Sequence, residues 1–333
     1  MHTRTSGRPL RPATLIGVAA IGAACLAAVT QPASAQEKYP ARPIEVIVPT
    51  PPGGGTDIAF RLLAEIAEPM LGQKLVVVNK AGGGGMIGMA QVVSARPDGY
   101  TLGGLWNAPL TMTPHMQQAP YSPADYVTIS MADSAPMVLC TKQEFPAKDA
   151  REFIEHVRKN PGKFTYGNDG VGGTIQLSVE RVFTKLGIKA RPVPFGGAGE
   201  TLKNFIGGHV DIYAGSIPPI VPYVKDASAK CLMLTGPDRN ASLPQAASLA
   251  DLGMSENSTA LWHGMVGPKG IPADRLALLE KTFMQAAKTE RFRQFMEPKG
   301  IKVEGTSGAE FRKVIDSEYA AMGQVMKAIG LTK

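Results

Sequence analysis

Three glycine-rich segments of the chain have the composition of anion-binding loops. They span residues 53–55, 82–85 and 167–173, and the hydroxyl residues Thr56 and Thr174 follow the first and the third. Helix N-termini offer unpaired N–H groups and a partial positive charge, and glycine lets the backbone approach an anion closely. A single loop of this kind can be only a tight turn. One such loop in each half of the chain predicts a site for a carboxylate or phosphate that needs no arginine.

The second of these segments also matches a dinucleotide-binding pattern, Gly83-x-Gly85-x-x-Gly88. A dinucleotide site needs an acidic residue after the next strand to hold a ribose, and residues 103–106 contain none. Because a run of glycines matches the pattern by chance, we predict no nicotinamide cofactor and no other cofactor.

The sequence contains none of the common catalytic or metal-binding motifs. G-x-S-x-G, H-E-x-x-H and a P-loop lysine are all absent. Cys140 and Cys231 are far apart and belong to no C-x-x-C pair, so we predict no metal site. His263, beside Trp262, is the one histidine near a predicted cleft, and we expect it to pack in the core or at a hinge. These features predict a protein that is not an enzyme.

Strands, glycine-rich loops and helices alternate along the chain and position these loops. The predicted strands are residues 44–48, 75–78, 100–106, 164–166, 190–194 and 210–214. The predicted helices in the same region are residues 58–68, 86–95, 151–160, 174–186 and 200–206. This alternation is typical of parallel sheets with crossover helices, in which ligands bind at the carboxyl ends of the strands.

The repeated units predict an α/β protein of two lobes, each a mainly parallel sheet flanked by helices. The chain is expected to cross between the lobes near residues 127–140 and to return near residues 231–267. We therefore assign residues 36–135 with 250–333 to lobe 1 and residues 136–249 to lobe 2. Further helices near residues 272–289, 290–296 and 309–328 are expected to pack back on lobe 1.

The first 35 residues have the pattern of an export signal. Arg4, Arg8 and Arg11 precede an apolar run at residues 15–29, and Ala33-Ser34-Ala35 fits the small-x-small cleavage site. The apolar run is about 15 residues, shorter than the ~20 that span a bilayer. We predict a signal peptide of residues 1–35, cleaved after Ala35, and a periplasmic protein.

Composition and charge narrow the classes of protein further. Hydrophobic residues make up 44% of the 333 residues and charged residues 19%, a balance that excludes a wholly disordered chain. The net charge is +7, and no run of basic residues interleaved with aromatics appears, so we predict no nucleic-acid partner. An oxidising compartment permits a disulfide between Cys140 and Cys231. Two separate buried thiols are the alternative that we favour.

Six motifs follow one another in order along the chain. They are Tyr39-Pro-x-Arg-Pro43, Pro51-Pro-Gly-Gly-Gly-Thr-Asp57, Pro97-Asp-Gly-Tyr-Thr-Leu102, Pro161-Gly-Lys-Phe-Thr-Tyr166, Gly207-Gly-His-Val-Asp211 and Trp262-x-Gly-Met265. Each motif alone is weak. Their combination resembles the substrate-binding receptors of tripartite tricarboxylate transporters, the Bug receptors, over essentially the whole mature chain.

The resemblance implies a two-lobe periplasmic binding protein of the Venus-flytrap type, similar to type II. Such a receptor would deliver a small organic carboxylate to a membrane permease, and we expect it to be a monomer. The resemblance places the ligand carboxylate between the two loops, at Gly54, Gly55, Thr56, Asp57, Asn168, Gly172, Gly173 and Thr174. Asp57 is expected to cap the helix rather than contact the anion. The rest of the ligand would be lined by Trp106, Asn107, Phe195 and Ser216.

The chain departs from the family pattern in the second loop, and this bears on the ligand. Hydroxyl residues usual in that loop are replaced, and Asp169 is gained. Gly215 occupies a position where members that bind amino acids tend to carry aspartate, which favours a di- or aromatic carboxylate. Two alternatives stay open. One is an exported enzyme acting on a carboxylate, which would need a nucleophile and a base. The other is a ligand-binding sensor subunit for a membrane kinase.

Overall fold

The structure is a computed structural model that describes residues 38–195 and 198–331. The predicted signal peptide lies outside the described residues. In the part of the chain that is described, no helix combines the length and the apolar character needed to cross a bilayer.

Six strands form the first sheet. They are β1 (Ile44–Val48), β2 (Leu75–Asn79), β3 (Thr101–Trp106), β4 (Tyr126–Pro136), β10 (Ala260–Pro268) and β11 (Lys302–Ser307). Their order across the sheet is β11-β4-β10-β3-β1-β2. β1 is an interior strand between β3 and the edge strand β2, and its β-branched residues, interrupted only by Glu45, suit a strand covered on both faces.

Five strands form the second sheet. They are β5 (Val138–Lys142), β6 (Thr165–Asn168), β7 (Arg191–Pro194), β8 (Ile212–Gly215) and β9 (Ala229–Leu234). Their order is β7-β6-β8-β5-β9. The buried side chains of these strands divide between two apolar clusters, one around Phe153 and Tyr166 and the other around Phe205 and Tyr213.

Both sheets are mixed, so the prediction of mainly parallel sheets is wrong in this respect. β1 pairs in parallel with β2 and β3, and β6 pairs in parallel with β7 and β8. β10 and β5, in contrast, run antiparallel to both of their neighbours. The local strand–helix–strand units give the parallel pairs, whereas the strands that carry the chain between the sheets arrive without a crossover helix. The α/β class and the two sheets are as predicted.

Helices flank both sheets and agree well with the sequence pattern. Their bounds are α1 (Gly55–Leu71), α2 (Met86–Val93), α3 (Thr113–Met116), α4 (Ala150–Lys159), α5 (Thr174–Leu186), α6 (Ala198–Ile206), α7 (Val221–Lys225), α8 (Ala273–Ala287), α9 (Glu290–Met296) and α10 (Gly308–Ala328). A π-helical turn, Ala108–Met112, precedes α3. α8 and α10 pack on β4 of the first sheet, as expected for the C-terminal helices.

The chain passes between the sheets twice, and the two passages are hydrogen-bonded to each other. It leaves the first sheet at Met137, between β4 and β5, and returns through residues 235–259, inside the predicted ranges. Met137 N–H donates to Thr235 Oγ1, and Thr235 N–H donates to the Met137 carbonyl. Thr259 N–H donates to the Thr235 carbonyl. The segment before β5, the segment after β9 and the segment before β10 are therefore joined in one narrow connection.

Cys140 and Cys231 form a disulfide, so the expectation of two separate thiols is wrong. The two residues are 91 positions apart in sequence and directly opposite each other in the antiparallel pair β5–β9, with their Cα atoms 3.9 Å apart. Sequence spacing could not reveal this register, because it is set by long-range strand pairing.

We expect the disulfide to stabilise the folded protein. Removing such a bridge from an exported domain costs about 2–5 kcal/mol, because the unfolded chain gains freedom. The double variant Cys140→Ser/Cys231→Ser should therefore unfold at lower urea concentration than the wild type. Reductant should lower wild-type stability and leave the double variant unchanged. Quantitative thiol labelling of unreduced, unfolded wild type would contradict the bridge.

Candidate functional site

The first glycine-rich loop leads directly from the carboxyl end of β1 into α1. Residues 51–55 are exposed, whereas Thr56 is buried in the first turn of the helix. Gly54 occupies the N-cap position and contributes no side chain to cap the helix. The amides of the first turn are thus oriented as an anion requires, beside a loop open to solvent.

Asp57 holds this loop in place through its carboxylate. Its oxygens accept hydrogen bonds from Gly53 N–H, from Asn79 Nδ2 and from Arg61, which also forms an ion pair with it. Burial alone would raise the pKa of Asp57, but these partners outweigh it and lower the pKa below its usual value. The carboxylate is engaged within the protein. Asp57 was expected to cap α1, but the N-cap position is Gly54 and Asp57 lies inside the helix, where its side chain holds the preceding loop instead.

Thr56 belongs to a chain of three buried polar side chains. Its Oγ1 lies 3.1 Å from His263 Nε2, and His263 Nδ1 lies 2.8 Å from Asp133 Oδ1. Their relative exposures are 9%, 5% and 1% respectively. Phe60 of α1 packs edge-on against the imidazole. His263 is buried, as expected. The sequence did not indicate that it connects Asp133 to the proposed ligand loop, because the pairing of β4 with β10 brings together residues 130 positions apart.

The N-terminus of α5, predicted as the second anion site, is occupied by a carboxylate of the protein itself. Asp169 accepts hydrogen bonds from the amides of Ile175 and Gln176. Burial raises the pKa of Asp169, while these amides act in the opposite direction. A Cβ at Gly173 would overlap the Asp169 carboxylate. The α5 loop therefore does not offer a ligand the free helix N-terminus that the sequence predicted.

Asn168 and Phe195 lie together beside this second loop. Phe195 N–H donates to the Asn168 carbonyl at 3.0 Å, and the Phe195 ring covers Gly167. The Asn168 side chain is fully buried, and its Oδ1 accepts from Gly170 N–H. Its Nδ2 has no hydrogen-bond partner among the described residues. A buried donor without a partner is costly, so this amide is suited to an acceptor atom of a ligand.

Asn107 and Thr174 connect the two halves of the predicted site. Thr174 Oγ1 lies 3.5 Å from Asn107 Oδ1, and Asn107 Nδ2 donates to the Ala260 carbonyl at 3.0 Å and to Glu318 at 2.9 Å. Close by, a Cβ at Gly172, whose φ is +73°, would overlap the Met116 sulphur. The second loop thus touches the segment that follows β3.

Glu318 of α10 is a buried residue of this network that the sequence analysis missed. Its Oε1 accepts from Asn107 and Thr111, and its Oε2 accepts from Trp262 Nε1 at 2.5 Å. Burial raises the pKa of Glu318, and these donors only partly offset that effect. A signal was present, because Glu318 interrupts an apolar helical face formed by Phe311, Ile315, Met322 and Val325.

The remaining predicted residues lie in or near the same region. Trp106 pairs with His263 across β3 and β10, and its ring lies against Gly85 of the second glycine-rich segment. Ser216 is half-buried after β8, and its carbonyl accepts a hydrogen bond from the Tyr213 hydroxyl. The structure thus connects Thr56 to Trp106 through His263, brings Asn107 and Thr174 together, and groups Asn168 with Phe195. Among the described residues, the Ser216 side chain makes no hydrogen bond to any of these groups.

A cavity of about 830 Å³ lies on another part of the described chain and contains none of the residues predicted to bind the ligand. It is lined by the return segment and by α10, including Trp262 and Glu318. Its acidic side chains are Asp238, Glu256, Glu297, Glu304 and Glu318, and its basic ones are Arg181, Arg239, Lys302 and Lys313. Because acidic and basic side chains nearly balance there, the cavity lining does not favour an anion in the way that the uncapped start of α1 does.

The buried Glu318 should make stability depend on pH in a specific direction. Above its usual value of 4.5, the unfolded chain releases the proton that the folded protein retains. Stability then falls as pH rises towards the folded-state pKa, by at most ~1.4 kcal/mol per pH unit. The stability of the wild type relative to Glu318→Gln should therefore decrease above that pH in urea titrations. Glu144→Gln, at an exposed site, should show no such trend; a constant difference for Glu318→Gln would contradict the assignment.

Comparison with known proteins agrees with this architecture. Residues 59–331 match the family model TctC, the tripartite tricarboxylate transporter family receptor. Protein BugT of Bordetella pertussis is 31% identical over 267 residues, covering 79% of this chain and 82% of BugT. A structure described as a periplasmic transporter is 31% identical, with a TM-score of 0.72, covering 88% of this chain and 99% of its own. A TctC solute-binding protein from Polaromonas is 27% identical, with a TM-score of 0.78, covering 87% and 99%. The chain belongs to the tripartite tricarboxylate transporter receptor family.

Proposed function

We propose that the chain is a periplasmic receptor that captures a small organic carboxylate and delivers it to the permease of a tripartite tricarboxylate transporter. The observation that carries the proposal is the exposed glycine loop before α1, whose helix starts without a side-chain cap. Membership of the receptor family and the likeness to a periplasmic transporter support export and solute binding.

The proposed lobes are residues 36–135 with 250–333 and residues 136–249. The division of strands supports these limits, since β1–β4, β10 and β11 form one sheet and β5–β9 the other. The narrow connection at Met137, Thr235 and Thr259 would serve as the hinge for closure around a ligand. The protein would act as a monomer.

The acid end of the ligand would bind at α1, to the loop at Gly54 and Gly55 and to Thr56. A second carboxylate would bind poorly at the N-terminus of α5. The Asp169 carboxylate already accepts hydrogen bonds from the backbone amides there and would repel another anion. Trp106, Phe195 and Ser216 would face the rest of the ligand, and the unpartnered Asn168 amide would donate to a neutral acceptor. Between the two predicted classes, this arrangement favours an aromatic carboxylate over a dicarboxylate.

A carboxylate panel provides the test of function. The chain lacking residues 1–35 is unfolded and refolded to remove any bound ligand, and its melting temperature is measured with each acid. A ligand at a hundred times its Kd adds about 2.7 kcal/mol, which raises the melting temperature by several degrees. We expect the largest rise with an aromatic acid such as benzoate. Flat melts with every acid would overturn the proposal.

An exported hydrolase is the second candidate, and a specific observation favours it. The chain Thr56–His263–Asp133 has the order of nucleophile, base and orienting carboxylate. The receptor family to which the chain belongs supports binding without turnover. Each acid of the panel is therefore incubated with the protein, and its conversion to product is measured by liquid chromatography. The p-nitrophenyl esters of the same acids are included as substrates. Hydrolysis that Thr56→Ala abolishes would establish the enzyme instead.

Asp169→Gly should change ligand preference towards dicarboxylates. Removing the internal carboxylate frees the α5 amides, and an anion at a helix N-terminus gains about 0.3–2 kcal/mol. We therefore expect succinate to bind more tightly relative to benzoate in this variant, as measured by calorimetry. Asp149→Gly removes a similar cap from α4, remote from the site, and should leave the ratio unchanged. An unchanged ratio in Asp169→Gly would show that α5 does not face the ligand.

A further inference from the structure

The hydrogen-bond chain from Thr56 to Asp133 has a direction that depends on one proton. As a carboxylate, Asp133 only accepts hydrogen bonds, so His263 must carry a proton on Nδ1, 2.8 Å from Asp133 Oδ1. In the neutral imidazole, Nε2 is then an acceptor. Thr56, 3.1 Å away, has to donate its hydroxyl proton to it. The Thr56 hydroxyl would then present only lone pairs to the ligand.

Protonation of His263 reverses this arrangement. Nε2 then carries a proton and donates to Thr56 Oγ1, which leaves the threonine hydroxyl proton free to point elsewhere. A free hydroxyl donor at the first turn of α1 suits a carboxylate, whereas lone pairs repel it. The protonation state of His263 therefore sets whether Thr56 attracts or repels the proposed ligand.

The charge of the pair changes in the same sense. With a neutral imidazole, Asp133 and His263 together carry one negative charge, buried beside the loop that would receive an anion. Asp133 Oδ2 has no hydrogen-bond partner among the described residues, so no other group there compensates that oxygen directly. One proton on His263 makes the pair neutral overall. An incoming carboxylate is thus favoured by proton uptake both through Thr56 and through the removal of a repulsive charge.

Other charged groups lie on the elements that pack around His263 and its partner Asp133. From α1, Asp57 is bound to Arg61. β3 and α2, which also contact β10, contain no titratable side chain within their bounds. On the opposite face of β10, Glu318 from α10 binds Trp262. α8, α10 and β11 pack on β4. α8 and β11 carry Asp274, Arg275, Glu280, Lys281, Lys302 and Glu304, and α10 carries Glu310, Arg312, Lys313, Asp316, Glu318 and Lys327.

We propose that His263, held by Asp133, is a specificity-determining residue that couples carboxylate binding to the uptake of one proton. The inference rests on the proposed binding of a carboxylate at α1. It names the ligand class more narrowly, because a neutral analogue such as an amide or ester gains nothing from the proton. Imidazole is the side chain suited to this role, because its ring nitrogens can hold either one proton or two.

The test is calorimetric titration of the refolded chain with benzoate and succinate in buffers of different ionisation enthalpy. The dependence of the observed heat on the buffer gives the number of protons taken up. We expect uptake approaching one proton per anion at pH values where the free protein holds a neutral imidazole, and affinity that falls by up to about tenfold per pH unit there. Benzamide, which is neutral, should bind with no proton uptake.

His263→Gln separates this role from a merely structural one. Its amide can donate permanently towards Thr56, so anion binding should persist, lose its proton uptake and become independent of pH. His263→Asn keeps a donor for Asp133 and serves as a second variant should the first not fold. His209→Gln, at an exposed turn, should retain wild-type proton uptake.

The outcomes separate this inference from the function on which it rests. Binding of benzoate or succinate to the wild type without proton uptake would overturn the role of His263 and leave the receptor proposal standing. Equal proton uptake by wild type and His263→Gln would also overturn it, by placing the proton on another group. Failure of both acids to bind would remove the carboxylate proposal and this inference together.

Discussion

Burying a carboxyl group is costly unless hydrogen bonds replace those that it made to water, and Glu318 of α10 imposes this constraint on the elements around it. Its oxygens are satisfied by Trp262 of β10 and by Asn107 and Thr111, which follow β3. Helix, strand and loop must therefore meet at one point. The last helix of the chain is thereby tied to the loops that would face the ligand.

The same network reaches α5, which flanks the second sheet, through the Asn107 side chain. Asn107 donates to Glu318 with its amide nitrogen, and its oxygen faces Thr174 at the start of α5. Each polar atom of Asn107 is thus engaged by a different part of the fold. Asn107, which was predicted to line the ligand, also joins the two halves of the site in this structure.

Two aspartates, one beside each helix start, give the two loops different chemistry. Asp57 turns back to Gly53, Arg61 and Asn79 and leaves the first-turn amides of α1 without a side-chain partner. Asp169 turns forward onto the amides of α5. Two loops that look equivalent in sequence therefore differ in charge, and only the first retains the character of an anion site.

Local signals in the sequence account for what could be predicted. Apolar periodicity and the residues at helix starts are read over a few positions, and α5 begins and ends at the predicted residues 174 and 186. The same reading located the glycine loops at the ends of β1 and β6. Asp169 was also recognised as a departure from the family pattern, but the sequence did not show that its carboxylate accepts hydrogen bonds from the amides of α5.

Long-range pairing accounts for what could not be predicted. The antiparallel neighbours of β10 and the disulfide between β5 and β9 depend on strand register across more than 90 residues. Asp133 and His263 meet only because their strands pair, so neither residue alone indicated the contact. Glu318 differs, because its place within the apolar face of α10 can be recognised from spacing.

The contact between Gly172 and Met116 has a consequence for the evolution of affinity. The two segments approach so closely that even one added carbon would overlap the methionine sulphur. A side chain at residue 172 would act as a wedge between them, and the left-handed backbone there would resist it as well. A substitution at residue 172 that changes how far apart these two segments rest would therefore change ligand affinity as well.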